Sequence, residues 1–84
     1  MRIDLYLKKT LIFKKREDAK KMCDKNLVKL NGRYIKPSKA INPGDLIEIE
    51  TAKGIKQFQV LKIPTGNVRK DEIELYYEEI YQHE

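Results

Sequence analysis

The chain has 84 residues, 40% of them hydrophobic and 37% charged, with a net charge of +5 and a single cysteine. This length predicts one folded domain with little room for a catalytic pocket, and no apolar run approaches the roughly 20 residues that span a bilayer. The acidic residue in Met1-Arg2-Ile3-Asp4 argues against a secretion signal, and one cysteine excludes an internal disulfide, so we expect a cytoplasmic protein.

Two short helices are predicted at the N-terminus. Asp4 can cap a first helix over residues 5–11, whose apolar set is Ile3, Tyr6 and Leu7. A second helix is predicted over residues 16–25, with a narrow apolar stripe at Ala19, Met22 and Cys23. Asn26 should end it, because asparagine tolerates the left-handed conformation of a helix end.

Strand signals follow the helices. Val28–Leu30 alternates in polarity, Asn31-Gly32 is typical of a tight hairpin turn, and residues 34–36 form the return strand. Two further strands are predicted over residues 46–50 and 55–63, because their apolar and polar residues alternate. A small, mostly antiparallel sheet is therefore expected.

The C-terminal segment is predicted to be an acidic helix. Asp71 can cap it, and Ile73, Tyr76, Tyr77 and Ile80 follow at helical spacing. The element order is then ααββββα, an α+β fold. The tyrosine-rich stripe, which continues to Tyr81, either folds onto the sheet or docks a protein partner.

Positive charge is concentrated in the first half of the chain. Residues 1–40 hold 13 Lys/Arg against 4 Asp/Glu, whereas residues 41–84 hold 5 against 9. Such sorting favours a polyanionic partner. The run Lys14-Lys15-Arg16 opens the second helix, where free backbone N–H groups also attract phosphate, and Lys20 shares the helical edge of Arg16. Arg2 can join this cluster if the two helices pack together.

Other functional classes are weakly supported. His83 is the only histidine and lies at the chain end, which disfavours a general-base role. Lys20 and Lys21 could lower the pKa of Cys23, but its place on the apolar stripe favours core packing. No zinc-ligand spacing is present, and the second helix lacks the exposed Asn or Gln that reads DNA base edges. Tyr34 and Tyr6 are the only aromatic candidates for base stacking on the basic half, and packing explains both better.

The ordered set of motifs resembles the S-four-type RNA-binding domain, also called the alpha-L motif, over about residues 2–50. The resemblance is carried by Arg2-Ile3-Asp4, Tyr6-Leu7, Lys14-Lys15-Arg16, Ala19-Lys20, Val28-Lys29-Leu30-Asn31-Gly32, Lys36-Pro37-Ser38 and Gly44-Asp45. It implies two helices packed on a small sheet whose basic face binds structured RNA. The implied limits are residues 1–63 for this domain, with residues 64–84 as a linker and an acidic C-terminal helix packed on it.

The resemblance also implies roles for individual residues. Arg2, Arg16 and Lys20 would contact RNA phosphates, Asp4 would fix their geometry, and the supporting contacts would come from Lys14, Lys15, Arg33 and Lys36. Three further lysines complete the candidate set, although solvation alone is the favoured explanation for each of them: Lys8, Lys9 and Lys21. At three positions the chain departs from the family pattern, namely Lys15, Asn26 and Leu11, where the family often has Ser, Gly and Arg.

Small standalone members of this family include the fifteen-kilodalton heat-shock proteins and the RqcP-type ribosome-quality-control factors. The resemblance implies a non-catalytic monomer that needs no cofactor and binds the large ribosomal subunit carrying an obstructed peptidyl-tRNA, touching rRNA and tRNA. A protein partner that extends stalled chains is implied as well. Ribosome assembly, a structural ribosomal role, and a protein-interaction module are the alternatives.

Overall fold

A computed structural model describes residues 1–81 and gives two helices followed by an antiparallel sheet. The sheet has five strands in the order β2-β1-β3-β4-β5, and the α+β prediction is confirmed. The elements are α1 (Ile3–Lys9), α2 (Arg16–Asp24), β1 (Val28–Leu30), β2 (Arg33–Tyr34), β3 (Leu46–Thr51), β4 (Gly54–Val60), a 3₁₀ helix (Lys70–Leu75) and β5 (Tyr77–Ile80). No helix among these residues is both long and apolar enough to cross a membrane.

The core lies between the two helices and one face of the sheet. Tyr6 of α1 and Cys23 of α2 are buried, as the apolar spacing predicts. Alternate residues of β3, Ile47 and Ile49, complete the core from the sheet side together with Phe58 of β4. Burying an aliphatic or aromatic side chain of this size stabilises the fold by about 1.5–3 kcal/mol.

The turns that connect these elements adopt the predicted conformations. Asn26 has φ +58° after α2, and Asn31-Gly32 has φ +52° and +84°, the values that a two-residue hairpin of this type needs. The side chain of Asn31 also reaches the start of β3, donating to Asp45 Oδ1 at 3.0 Å and accepting from the Leu46 N–H at 2.9 Å. The hairpin is therefore fixed against the sheet.

The predicted C-terminal helix is only partly present: Lys70–Leu75 form a 3₁₀ helix, whereas Tyr77–Ile80, predicted as its continuation, form the edge strand β5. Tyr77 stands opposite Val60 and packs edge-to-face on Phe58, with ring centroids 5.3 Å apart. The apolar residues have helical spacing, but as a strand the segment gains backbone hydrogen bonds to β4 and the contact of Tyr77 with Phe58. The continuous helical stripe predicted for partner docking is consequently absent from the described residues.

The helix starts also differ from the prediction. α1 begins at Ile3, so Arg2 and not Asp4 is its N-cap residue. The 3₁₀ helix follows Arg69, and Asp71 lies inside its first turn. Asp4 is drawn into the helix because its carboxylate is buried and paired with arginine side chains, an environment that local capping preferences cannot describe.

Candidate nucleic-acid interface

A buried carboxylate organises the basic face. The side chain of Asp4 is inaccessible to solvent, and its Oδ2 atom lies 3.1 Å from Arg2 Nη2 and 3.3 Å from Arg16 Nε. Its Oδ1 atom accepts a hydrogen bond of 2.8 Å from the Leu5 N–H. The two arginine side chains remain 46% and 39% exposed, so one acid holds two guanidinium groups at the surface.

The two arginines are held in different ways. Arg2 donates a hydrogen bond to Asp4, whereas the Nε of Arg16 is buried and pairs with the same oxygen only as an ion pair, without a hydrogen bond. Because Nε is the buried atom, the exposed part of Arg16 lies elsewhere on its side chain. The exposed part of such an arginine can bind a phosphate oxygen while its Nε atom stays paired with the Asp4 carboxylate.

Three lysines surround the start of α2. Lys14 and Lys15 are exposed and immediately precede the helix, and Lys20 is exposed one turn beyond Arg16. Lys15 is the N-cap residue and makes no capping bond through its side chain. The helix N-terminus therefore adds its partial positive charge to four cationic side chains on one surface.

The segment that follows β2 joins this surface through the backbone. The Ile3 N–H donates to the Lys39 carbonyl at 2.8 Å, and the Ile41 N–H donates to the Met1 carbonyl at 3.0 Å. Arg2 and Ala40 thus form an antiparallel bridge beside Lys39. Lys39 was not a predicted site residue, because only this pairing, between residues distant in sequence, brings it next to Arg2.

Comparison with protein families gives the identity of this arrangement. The family model for the S4 domain matches residues 1–47. These residues include Asp4 with its two arginine partners, α2 and the β1–β2 hairpin. The chain belongs to the S4 domain family. The resemblance predicted from the motifs is therefore confirmed.

Individual relatives cover nearly the whole chain. One is the "RQC P-site tRNA stabilizing factor" of Helicobacter pylori, 42% identical over 90% of this chain and 92% of that protein. The protein of the same name from Streptococcus pneumoniae is 33% identical over 90% of this chain and 86% of its own. The trimeric structure of Vibrio cholerae Heat Shock Protein 15 superimposes with a TM-score of 0.86 at 28% identity, covering 95% of this chain and 81% of that one.

Three predicted lysines of this S4 domain have local roles in the structure. Lys9 donates to the Gly66 carbonyl at 3.1 Å and so ties the loop after β4 to α1. Lys8 and Lys21 lie in the last turns of α1 and α2, where cations stabilise the helix C-terminus. Their part in RNA binding stays a prediction, as it does for Arg33 and Lys36, which border an open groove beside β2.

The thiol of Cys23 is a buried group of the hydrophobic core. It is 2% exposed, and burial together with the nearby Asp4 and Asp24 carboxylates raises its pKa to about 11. The suggested lowering of this pKa by neighbouring lysines is therefore wrong, because desolvation dominates. His83 lies outside the described residues, and residues 1–81 contain no group of three His, Cys, Asp or Glu side chains that could hold a metal ion.

Proposed function

We propose that this chain is a non-catalytic RNA-binding protein that binds tRNA and rRNA on the large ribosomal subunit when a stalled nascent chain obstructs it. It would act in the cytoplasm, in ribosome-associated quality control. The observation that carries the proposal is the pair of exposed arginines, Arg2 and Arg16, which the buried Asp4 carboxylate fixes on the surface of an S4 domain.

The names of the relatives support the choice of RNA. Two proteins that share 42% and 33% of their aligned residues with this chain are both called P-site tRNA stabilizing factors. The matched regions cover 90% of this chain in each case, so the likeness includes the segment after the S4 domain. We extend the role stated in these names to this chain, with peptidyl-tRNA as the ligand and the large subunit as the site of binding.

In this proposal the protein binds RNA without making or breaking a covalent bond. Each arginine or lysine that neutralises a phosphate releases a counterion, and this release supplies most of the affinity. Folded tRNA and A-form rRNA are recognised largely by shape and by backbone contacts, since their deep major groove is closed to side chains. The fixed spacing of Arg2 and Arg16 would match two phosphates of one such backbone, and Lys20, Lys14 and Lys15 would add charge around them.

The first test is the position of the protein among ribosomal particles. Tagged protein in a cell lysate is sedimented through a sucrose gradient, and each fraction is probed for the protein and for tRNA. We expect co-migration with free large subunits that carry tRNA. Co-migration with small subunits, or with all translating ribosomes, would indicate an assembly or structural role, and protein left at the top of the gradient would contradict ribosome association.

The second test uses purified protein and tRNA in a direct binding assay. Arg16→Ala should weaken binding about tenfold, a loss typical of one charge-assisted contact, while the fold persists. Arg69→Ala is the matched control, since Arg69 is exposed in the less basic half of the chain. Wild-type affinity should fall steeply between low and physiological salt. Equal binding by both variants would contradict the assignment of this face.

A further inference from the structure

Tyr34 is an exposed aromatic residue on the basic half of the molecule. It lies on the two-residue edge strand β2, and its side chain is 54% exposed. The packing expected from the sequence is present for both tyrosines, but in different forms. Tyr6 is fully buried in the core, whereas Tyr34 packs on Lys29 across the hairpin and keeps a large exposed area. A large exposed ring beside cationic side chains is a common feature of surfaces that bind nucleic acid.

A cross-strand contact holds this ring in place. Lys29 stands directly opposite Tyr34 in the β1–β2 pairing, and its ammonium group lies 4.8 Å from the ring centroid. This cation–π contact restrains the ring before any ligand arrives, which lowers the entropic cost of binding to it. Tyr34 also borders the groove beside β2, which Lys29 does not border.

The groove beside Tyr34 has the chemistry of a nucleotide site. Its volume is about 750 Å³, which lies in the range of small-molecule sites. It combines three cations and two neutral polar side chains with apolar walls, and no carboxylate borders it. The lining residues are Leu30, Asn31, Arg33, Tyr34, Ile35, Lys36, Ser38 and Lys39. Such a groove suits a ligand that joins an anion to a flat apolar group.

We propose that Tyr34 stacks on an unpaired nucleobase of the bound RNA, while Arg33, Lys36 and Lys39 hold the phosphates on either side of that nucleotide. This inference rests on the proposed function and adds a base-binding site to the phosphate-binding arginines. The backbone bond between Ile3 and Lys39 places the groove next to Arg2, so one RNA strand can cross both surfaces. Stacking on a ring tolerates any base, because every base has a π-face.

The experiment compares two octamers of equal charge, oligoadenylate and an abasic ribose-phosphate chain, for binding to the intact protein. We expect wild type and Tyr34→Phe to bind oligoadenylate about 5-fold to 150-fold more tightly than the abasic chain, the increment of one stacked base. Tyr34→Leu should bind both octamers alike. Tyr81→Leu is the matched control, because Tyr81 is 71% exposed but lies on the acidic half.

Fluorescence provides a second measurement with tRNA itself. The chain contains no tryptophan, so Tyr34→Trp introduces a unique reporter whose emission should be quenched on saturation with tRNA. Unchanged emission, or an oligoadenylate preference that Tyr34→Leu retains, would overturn the stacking site. Displacement of the octamer by an equimolar amount of AMP would indicate a free-nucleotide site and overturn the RNA assignment. Failure of wild type to bind tRNA at all would instead overturn the proposed function.

Discussion

Asp4 and Arg16 are separated by eleven residues of helix and loop, yet Asp4 Oδ2 lies 3.3 Å from Arg16 Nε. The acid is fully buried and the arginine is partly exposed. The packing of α1 on α2 brings the pair together, and the same oxygen also binds Arg2 at 3.1 Å. A carboxylate placed in this way fixes the geometry of the proposed RNA-binding surface, although its charge would oppose RNA.

Asp4→Asn separates geometry from charge. Removal of one negative charge should strengthen RNA binding if only net charge matters, whereas loss of the anchor for Arg2 and Arg16 should weaken it. We expect tRNA binding to weaken about fivefold, because loss of the hydrogen-bonded ion pair that orients Arg2 costs about 1 kcal/mol. Asp18→Asn, which removes an exposed acid from the first turn of α2, should leave binding unchanged or tighter. Tighter binding by Asp4→Asn would refute the anchoring role.

The Tyr6 hydroxyl links the N-terminal helix to the C-terminal segment. It donates a 2.7 Å hydrogen bond to the Tyr76 carbonyl, which also accepts bonds from the Leu61 and Lys62 N–H groups. Tyr6→Phe keeps the buried ring, and the Tyr76 carbonyl keeps its two backbone hydrogen bonds. The free energy of unfolding should therefore fall by only about 1 kcal/mol. Urea denaturation measures this, with Tyr34→Phe as an exposed control expected to cause no loss. An unchanged midpoint for Tyr6→Phe would show that the bond contributes nothing.

Buried acidic groups predict a loss of stability at alkaline pH. Burial raises the pKa of the Cys23 thiol from an ordinary 9.0 to about 11, and burial also raises the pKa of Tyr6 and of Tyr77. Between pH 9 and 11 the unfolded chain therefore binds fewer protons than the folded one, and stability falls as pH rises. Cys23 alone would account for up to about 2–3 kcal/mol.

Cys23→Ala tests this linkage. The variant loses a buried side-chain atom and should be less stable than wild type at pH 8, but its stability should fall less between pH 8 and pH 10.5. Urea midpoints at the two pH values give both quantities. If wild type and Cys23→Ala lost equal stability between pH 8 and pH 10.5, the alkaline loss would be assigned to the tyrosines. In native protein at pH 8 the thiol should react with iodoacetamide far more slowly than in urea, because it is buried and protonated.

Leu11 adopts a left-handed conformation that leucine disfavours. Its φ is +62° in the loop between α1 and α2, and its side chain is 42% exposed. Leu11→Asn should stabilise the protein by up to about 1 kcal/mol, since asparagine accepts this conformation readily. Leu75→Asn is the control, as Leu75 is exposed in the 3₁₀ helix. No gain for Leu11→Asn in thermal unfolding would show that contacts of the leucine offset its strain.

Local chemistry was enough to predict two N-terminal helices and the turns after α2 and β1, although not the residues at which α1 begins and ends. The apolar spacing around Tyr6 and Cys23 predicts helices that bury those faces, and Asn31-Gly32 can form few turns other than the one observed. The ordered basic motifs were enough to identify the S4 domain. These features depend on residues that are close in sequence, where propensity and periodicity act directly.

Only the tertiary structure decided the environments of Asp4, Tyr34 and the C-terminal segment. Sequence reasoning made Asp4 a helix cap as well as an arginine partner, but packing of α1 on α2 buries it and leaves it the partner role. Residues 77–80 carry helical spacing yet form a strand, which pairs with β4 and packs Tyr77 on Phe58. The environment of a residue depends on contacts with segments that are distant in sequence. Local sequence does not specify which backbone groups or side chains those segments bring to it.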